Sequence, residues 1–562
     1  MQDKPWFQHY PEGTPHSIPY EPLSLPEMLR RTVARKGDKV AIEFVRATLT
    51  YQQLGAEVDK LAGVLHGLGV RKGDRVAIQL PNLPQTVIGF YAALSLGAVV
   101  VMTNPLYTLR EVEHQWADAE VKVAITADFV WDQLLKEHAN QLAPDHFLIA
   151  SIPDYFSFPI SWIAKRKLGK QSPARWAKVE PGPKVHLYKA AMGKAGHAPK
   201  LKQSWDDVAL LQYTGGTTGL SKGATLTHKN LSCNIQQMMA WFGDLEHSNH
   251  VMMTALPLFH VFGLTVCMGL SVAVGLPQVL LPNPRDIAIL VKELAKHKVT
   301  LFPAVPAMFN AINQLPDVDQ YDLSSLRECF SGSAPISDAV LNAFEKRTGG
   351  RIIEGFGMSE TSPVAAANPV KGLRKVGSVG IALPDTDIRI VDMEDGVTDM
   401  PFGEEGELIV GGPQVMQGYW KRPDESAQVL RDGYMYTGDL ATMDEDGFLR
   451  IVGRKKDMIN CNGLKVYPDE VDAVLMDLPE VLEAATIGVP DEKRGESVKS
   501  FVVLKPGKSL TVEQVLTHCG ENLARYKVPQ EVEFLAELPK SSVLKTLRRE
   551  LRVMEEKKRG VR

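Results

Sequence analysis

The residues best suited to chemistry crowd into one run, YTGGTTGLSKG, from Tyr213 to Gly223. Gly215, Gly216 and Gly219 leave backbone N–H groups accessible, while Thr214, Thr217, Thr218 and Ser221 add hydroxyls. Lys222, two residues beyond Leu220, adds a cation. Together these are the groups that hold a polyphosphate. The run is not a Walker A loop, which needs Gly directly before the Lys and Ser or Thr after it; here Ser221 precedes and Gly223 follows. The γ-phosphate chemistry of a P-loop ATPase is therefore not implied. A flexible glycine linker is the bland alternative, opposed by the apolar segments DDVALLQY and LSCNIQQ on either side.

Two further clusters carry polar groups at turn-like positions. EGFGMSETSP, Glu354 to Pro363, follows the strand-like RII and reads as a loop. Phe356 offers an aromatic face for a base, Ser359 and Thr361 offer hydroxyls, and Glu360 offers a hard oxygen ligand suited to Mg²⁺. DGYMYTGDL, Asp432 to Leu440, puts Asp439 in a turn, where a carboxylate could accept hydrogen bonds from ribose hydroxyls. An ordinary β-turn Asp is the competing reading.

Elements of two textures must position these clusters. Short Val/Ile/Ala runs such as VAIQL (76–80), KVAIT (122–126) and VTLFPAVP (299–306) alternate with helical patterns, predicting parallel α/β sheets with crossover helices. Between 380 and 452, strand-like pieces (DIRIVDM, GELIVGG, GFLRIVG) separated by Gly, Pro and Asp predict a small antiparallel lobe. A shorter α/β alternation resumes after Asp457, which makes GRKKDMIN the linker candidate. A chain of 562 residues is long enough for several such units. From His247 to Pro284 no residue carries a formal charge. Val261 to Gly275 within it predicts a helix buried between sheets and followed by a buried strand, with a membrane span as the minor reading.

Charge and cysteine content narrow the function. The net charge of −4 argues against a protein built around nucleic acid, whose binding needs many phosphate contacts. Residues 151–202 nevertheless hold eleven Lys or Arg against two acidic residues, a local net of +9. Five scattered cysteines without a C-x-x-C pair exclude a disulfide framework and disfavour a zinc site. The start lacks a basic and apolar leader, so a cytoplasmic protein is expected.

YTGGTTGLSKG, GFGMSET, YTGD with GRKKD, and a Lys in LPKSSVLKTLRREL follow one another in an order that resembles the adenylate-forming superfamily of acyl-CoA synthetases, luciferases and adenylation domains. Within it the chain looks most like bacterial long-chain fatty-acyl-CoA synthetases, whose signature stands here as DGYMYTGDLATMDEDGFLRIVGRKK. Tyr434, Met443, Glu445 and Gly453 depart from that signature. The resemblance implies an α/β fold: a large N-terminal domain (1–455) of two α/β sheet subdomains plus a small β lobe, and a small mobile α+β C-terminal domain (456–562) hinged at Lys456.

The same resemblance implies the substrates ATP and a long- or medium-chain fatty acid, with Mg²⁺ and coenzyme A. Fatty acid and ATP give acyl-AMP and pyrophosphate, then coenzyme A displaces AMP. Residue by residue, Thr214 to Lys222 would grip the β- and γ-phosphates, while Glu354, Gly355 and Phe356, with Gly332, Ser333, Ala334 and Pro335, would line the adenine. Gly357 and Met358 continue that wall to Ser359, near the α-phosphate, and Glu360 would ligate Mg²⁺. Asp439 and Arg454 would hold the ribose. Lys545 would bridge carboxylate and α-phosphate, although Leu544 stands where the family has Gly. Gly463 would reach the pantetheine tunnel after rotation, and His260, Phe262 and Gly263 would border the acyl pocket. A satisfied core histidine is the alternative for His260.

Competing functions are an aryl- or other carboxylate–CoA ligase, a fatty-acyl-AMP ligase, and, in another class, a catalytically impaired adenylate-binding regulator, supported by Leu544 alone. YFSFPISWIAKRKLGK sets aromatics beside a basic cluster, so peripheral contact with the cytoplasmic face of the inner membrane through residues 155–200 is weighed equally with a solvated excursion. A homodimer is the candidate assembly.

Overall fold

The computed structural model describes residues 4–214, 221–243, 245, 249–461, 464–491, 495–541 and 545–559. Gly215 to Leu220, Gly463 and Leu544 lie outside these residues.

The Val/Ile/Ala runs form two large sheets. One has seven strands in the order Val185–Leu187, His146–Ala150, Val121–Ala127, Arg75–Gln79, Val99–Met102, Val208–Thr214, Lys222–Thr227. All neighbours in it are parallel except the last pair, an antiparallel hairpin. The other has nine strands, with a parallel centre from Val40–Phe44 to Arg351–Gly357 and antiparallel edges. The helix Pro84–Ser95 is buried from Pro84 to Leu94, which explains why its sequence shows no polar face.

The uncharged stretch behaves as its composition predicts. Phe262–Gly269 forms a π-helix that continues as the α-helix Leu270–Val274, buried from Gly263 onward, and the buried strand Gln278–Leu280 follows. Gly275, at φ 84°, ends the helix in a left-handed conformation that a residue without Cβ adopts freely. Gly263 permits the tightest approach, since a Cβ there would come within 2.4 Å of the Pro257 carbonyl oxygen. Among the described residues no helix is long and apolar enough to cross a membrane, so the minor reading of 261–275 fails.

The predicted antiparallel lobe is a five-stranded sheet built from Asp387–Val391, Gly406–Gly411, Tyr434–Met443, Leu430–Arg431 and Leu449–Arg454. From Ile459 onward the chain builds another sheet, centred on the pair Val481–Asp491 and Gly495–Leu504. Its two faces bury separate apolar cores, one around Val471, Leu475 and Val502, the other around Ile487, Phe501 and Leu551. The fold is thus α/β, with two large sheets, a β lobe and a smaller C-terminal unit.

Two local expectations need correction. Asp439 is not in a turn: it lies inside the ten-residue strand Tyr434–Met443. Gly438, at φ 70°, and a register shift after Leu440 produce the turn-like composition without ending the strand. Nor is Glu354 to Gly357 a loop, because the strand Arg351–Gly357 runs through it and pairs with Val364–Ala367. The departure from extended backbone comes at Ser359–Thr361, a short 3₁₀ turn, and at Ser362, which follows it in the left-handed region at φ 74°.

Candidate active site

The Thr/Gly run is presented by a hairpin in which Tyr213 faces Gly223 and Thr214 faces Lys222. Gly223 leaves room for its partner's ring, since a Cβ there would lie 3.0 Å from Tyr213. The buried Tyr213 hydroxyl donates to Asp118 Oδ2 at 2.6 Å. His114 Nε2 lies 2.9 Å from the Ser221 carbonyl oxygen. Both arms of the hairpin are therefore tied to the helix Leu109–Asp118 at its base.

The segment 418–425 runs along the second arm. Thr225 N–H donates to Gly418 O at 2.9 Å and Trp420 N–H to Gly223 O at 2.8 Å. Tyr419 then reaches two ways. Its hydroxyl donates to Glu360 Oε1 at 2.8 Å, and its ring lies 5.3 Å from Lys222 Nζ. Glu360 is buried and has no basic partner at ion-pair distance among the described residues; burial raises its carboxyl above the ordinary range. Such a carboxylate suits a hard cation that takes its other ligands from phosphate and water. No group of three His, Cys, Asp or Glu side chains placed to hold a metal ion occurs among the described residues.

The residues expected to line the adenine lie at the ends of neighbouring parallel strands. Glu354 stands in register with Ser331, the last residue of the strand Glu328–Ser331, and Gly332 follows directly after it. Ser333 holds φ 73°, a conformation rare outside glycine and typical of functional loops. Glu354 is 7% exposed, accepts the Gly377 N–H at 3.2 Å, and is pushed up to about 7 by desolvation. Phe356 is half-buried. Phe262 packs so closely on Gly332 that a Cβ there would meet its ring at 3.1 Å, which joins the π-helix to the adenine-side loop.

Asp439 and Arg454 stand opposite each other in register, with Arg454 Nε donating to Asp439 Oδ1 at 2.9 Å. Asp439 is 6% exposed, and burial raises its carboxyl while Arg454 opposes the rise. Lys545 comes from the far end of the chain on a loop closed by Ser541 N–H to Lys545 O (2.8 Å) and Lys545 N–H to Ser541 Oγ (3.2 Å). Arg548, paired with Asp469 and with Asp472 at 2.5 Å, anchors the loop to the C-terminal unit.

Lys545 is an exposed residue whose ammonium nonetheless lies among protein charges. Desolvation there and the nearby Arg454 charge lower its pKa, against the pull of Asp439. The Lys545 charge also reaches His260, which desolvation first of all pushes down to about 4 and so keeps neutral. Lys456, just beyond Arg454, is exposed and shifted down to about 8 by desolvation and by that arginine.

Charge effects link Glu360 to Asp439 and Arg454, those two to Lys545, and Lys545 to His260, while Tyr419 joins Glu360 to Lys222 on the hairpin; Glu354 and Phe356 stand on the strand Arg351–Gly357 that leads to Glu360. Sequence reasoning missed Asp118, His114, Tyr419, Glu425 and Arg422, which brace that hairpin. No local pattern marks them, because each acts on a residue far away in the chain.

Residues 29–420 match the AMP-binding enzyme family and residues 470–545 its C-terminal domain. The chain is 42% identical over 555 residues to a long-chain-fatty-acid–CoA ligase of Bacillus subtilis (strain 168), covering 98% of both. Among solved structures it is similar to the anthranilate CoA ligase AuaEII in complex with anthranoyl-AMP (27% identity, TM-score 0.86, 97% of this chain and 99% of that one). It is also similar to ATP-bound MatB from Rhodopseudomonas palustris (29% identity, TM-score 0.81, 95% and 99%). The chain is a member of the AMP-binding, adenylate-forming enzyme family.

Proposed function

We propose that the protein is an ATP-dependent fatty-acid–CoA ligase acting on long-chain acids. The observation that carries the reading is the delivery of Lys545, from the C-terminal unit, into the cleft beside the Asp439–Arg454 pair and His260. A carboxylate is a poor electrophile. In the first half-reaction its oxygen attacks the α-phosphorus of ATP, the bond to pyrophosphate breaks, and the Lys545 ammonium offsets the charge that builds between the two anions. In the second, the coenzyme A sulfur attacks the acyl carbon, the acyl–phosphate bond breaks, and the thiol proton is lost as AMP leaves.

Lys222 and the hydroxyls of its hairpin hold the β- and γ-phosphates, Glu354 to Met358 with Gly332 to Pro335 line the adenine, Ser359 stands near the α-phosphate, and Asp439 with Arg454 hold the ribose. Glu360 would hold Mg²⁺, which supplies neutralisation of phosphate charge. The buried π-helix wall behind His260, Phe262 and Gly263 accommodates an alkyl chain, whose burial contributes about 0.8 kcal/mol per CH₂. Lys456 serves as the hinge between 1–455 and 456–562, and rotation there would withdraw Lys545 and present Gly463 to coenzyme A. The decisive assay is pyrophosphate release from ATP with oleate or decanoate, followed by thioester formation. Wild type and Lys545→Ala equally inactive with every acid would overturn the ligase reading.

Reversible contact with an anionic membrane belongs to the same proposal. Phe158 (83% exposed), Trp162 (53%) and Ile163 (54%) project around the helix Ile160–Gly169, beside Lys165, Arg166 and Lys167. The Arg166 guanidinium lies 4.8 Å from the Trp162 ring. Each basic residue near such a surface contributes about 1 kcal/mol. Flotation with anionic vesicles should recover the wild type and lose a Phe158→Ser/Trp162→Ser variant; equal recovery would refute the contact.

A further inference from the structure

Lys222 is not waiting with a free ammonium. Its Nζ is ion-paired with Glu425, and both side chains keep about a third of their surface open to solvent (30% and 34%). Glu425 lies on the short helix Pro423–Val429, none of whose residues is buried, so packing does not dictate a carboxylate there.

The segment is nevertheless welded to the phosphate hairpin. Arg422 Nη2 pairs with Asp118 Oδ1 at 2.9 Å, the carboxylate whose other oxygen accepts the Tyr213 hydroxyl, and the Trp420 indole N–H donates to the Asp118 carbonyl at 3.2 Å. Arg422 Nε also lies 3.7 Å from Glu425 Oε1 and steadies it from behind. One continuous stretch therefore sets Tyr419 against Glu360 and Glu425 against Lys222. A carboxylate held at a lysine that faces phosphate occupies that lysine as phosphate oxygen would.

We infer that Glu425 is a built-in counter-ion that stands in for nucleotide phosphate at Lys222 and must be displaced when MgATP binds. The same carboxylate recaptures Lys222 as pyrophosphate leaves, so it weakens the hold on both substrate and product. Glu425 is a positioning residue and touches no reacting atom. The inference rests on the ligase reading only in taking Lys222 to face the nucleotide.

The test is direct binding of MgATP, without fatty acid, to the full-length wild type, Glu425→Gln, Lys222→Met and the double variant. Glu425→Gln should bind about two- to fivefold more tightly than wild type, the range expected for a partly exposed ion pair, and the gain should shrink at high salt. In the Lys222→Met background the same substitution should change nothing. Affinity that is unchanged or weaker in Glu425→Gln overturns the inference, as does an equal gain in the Lys222→Met background, which would mark a diffuse charge effect. Glu425→Ala, carried alongside, repeats the test should the glutamine variant not fold. Failure of the wild type itself to bind MgATP would instead refute the ligase reading.

Discussion

Two lysines of the proposed site stand in opposite mechanical situations. Lys222 begins a strand paired with Val208–Thr214, and its charge is already met by Glu425. Lys545 stands on a loop of the C-terminal unit, and among the described residues no carboxylate lies within ion-pair distance of it. A cation that only grips phosphate can be pre-paired on a rigid frame, because exchanging one anion for another alters little but affinity. A cation that stabilises a transition state must keep its charge uncommitted until substrates arrive, so the charges around it stay beyond ion-pair distance.

The contrast is broken most forcefully at Lys545. Lys545→Ala should lower acyl-adenylate formation, read as pyrophosphate release, by about 10²–10³-fold, while thioester formation from supplied acyl-AMP persists. Comparable losses in both half-reactions would show that Lys545 is not confined to the first. Lys222→Met should act mainly on the KM for ATP, raising it about tenfold, the worth of a hydrogen bond to a charged group. A fall in kcat at unchanged KM would place Lys222 on the chemical side of the comparison.

Rigidity of the frame is tested at Gly263. An alanine there drives Cβ against the Pro257 carbonyl and should cost about 1–3 kcal/mol of stability, seen as a lowered Tm. The pH profile sharpens the electrostatic half. Lys545 acts as ammonium and its pKa is lowered, so adenylation is fully present below that value and is lost as pH rises through it, earlier than for an ordinary lysine. Lys545→Arg should move the limb to higher pH in whatever activity it keeps. His260, at about 4, should add no limb at the ordinary histidine value of about 6.5; one removed by His260→Gln would contradict its neutral state. The two- to fivefold effect expected at Glu425 is the smallest.

Much of this was legible from local chemistry. The uncharged stretch had to be interior, and its length and bounding prolines favoured a buried helix over a span, as Gly263 to Val274 show. The Thr/Gly run, Glu360 and Asp439 were singled out from residue type and order alone; Glu360 and Asp439 are buried, and most of the run lies outside the described residues. The strand around Asp439 was misread because glycine signals a turn by its freedom of φ, and Gly438 spends that freedom inside a paired strand.

Residue order therefore determined the chemistry on offer: phosphate-binding groups, a hard-cation carboxylate, an apolar wall and a late lysine, since each depends on side-chain type and near neighbours. Only the tertiary structure decided which charges meet. Asp118 and Arg422, Tyr419 and Glu360, and Lys222 and Glu425 are each separated by tens to hundreds of residues. Their pairing depends on how the sheets stack and where the segment 418–425 crosses the hairpin, a property of packing that no local pattern encodes.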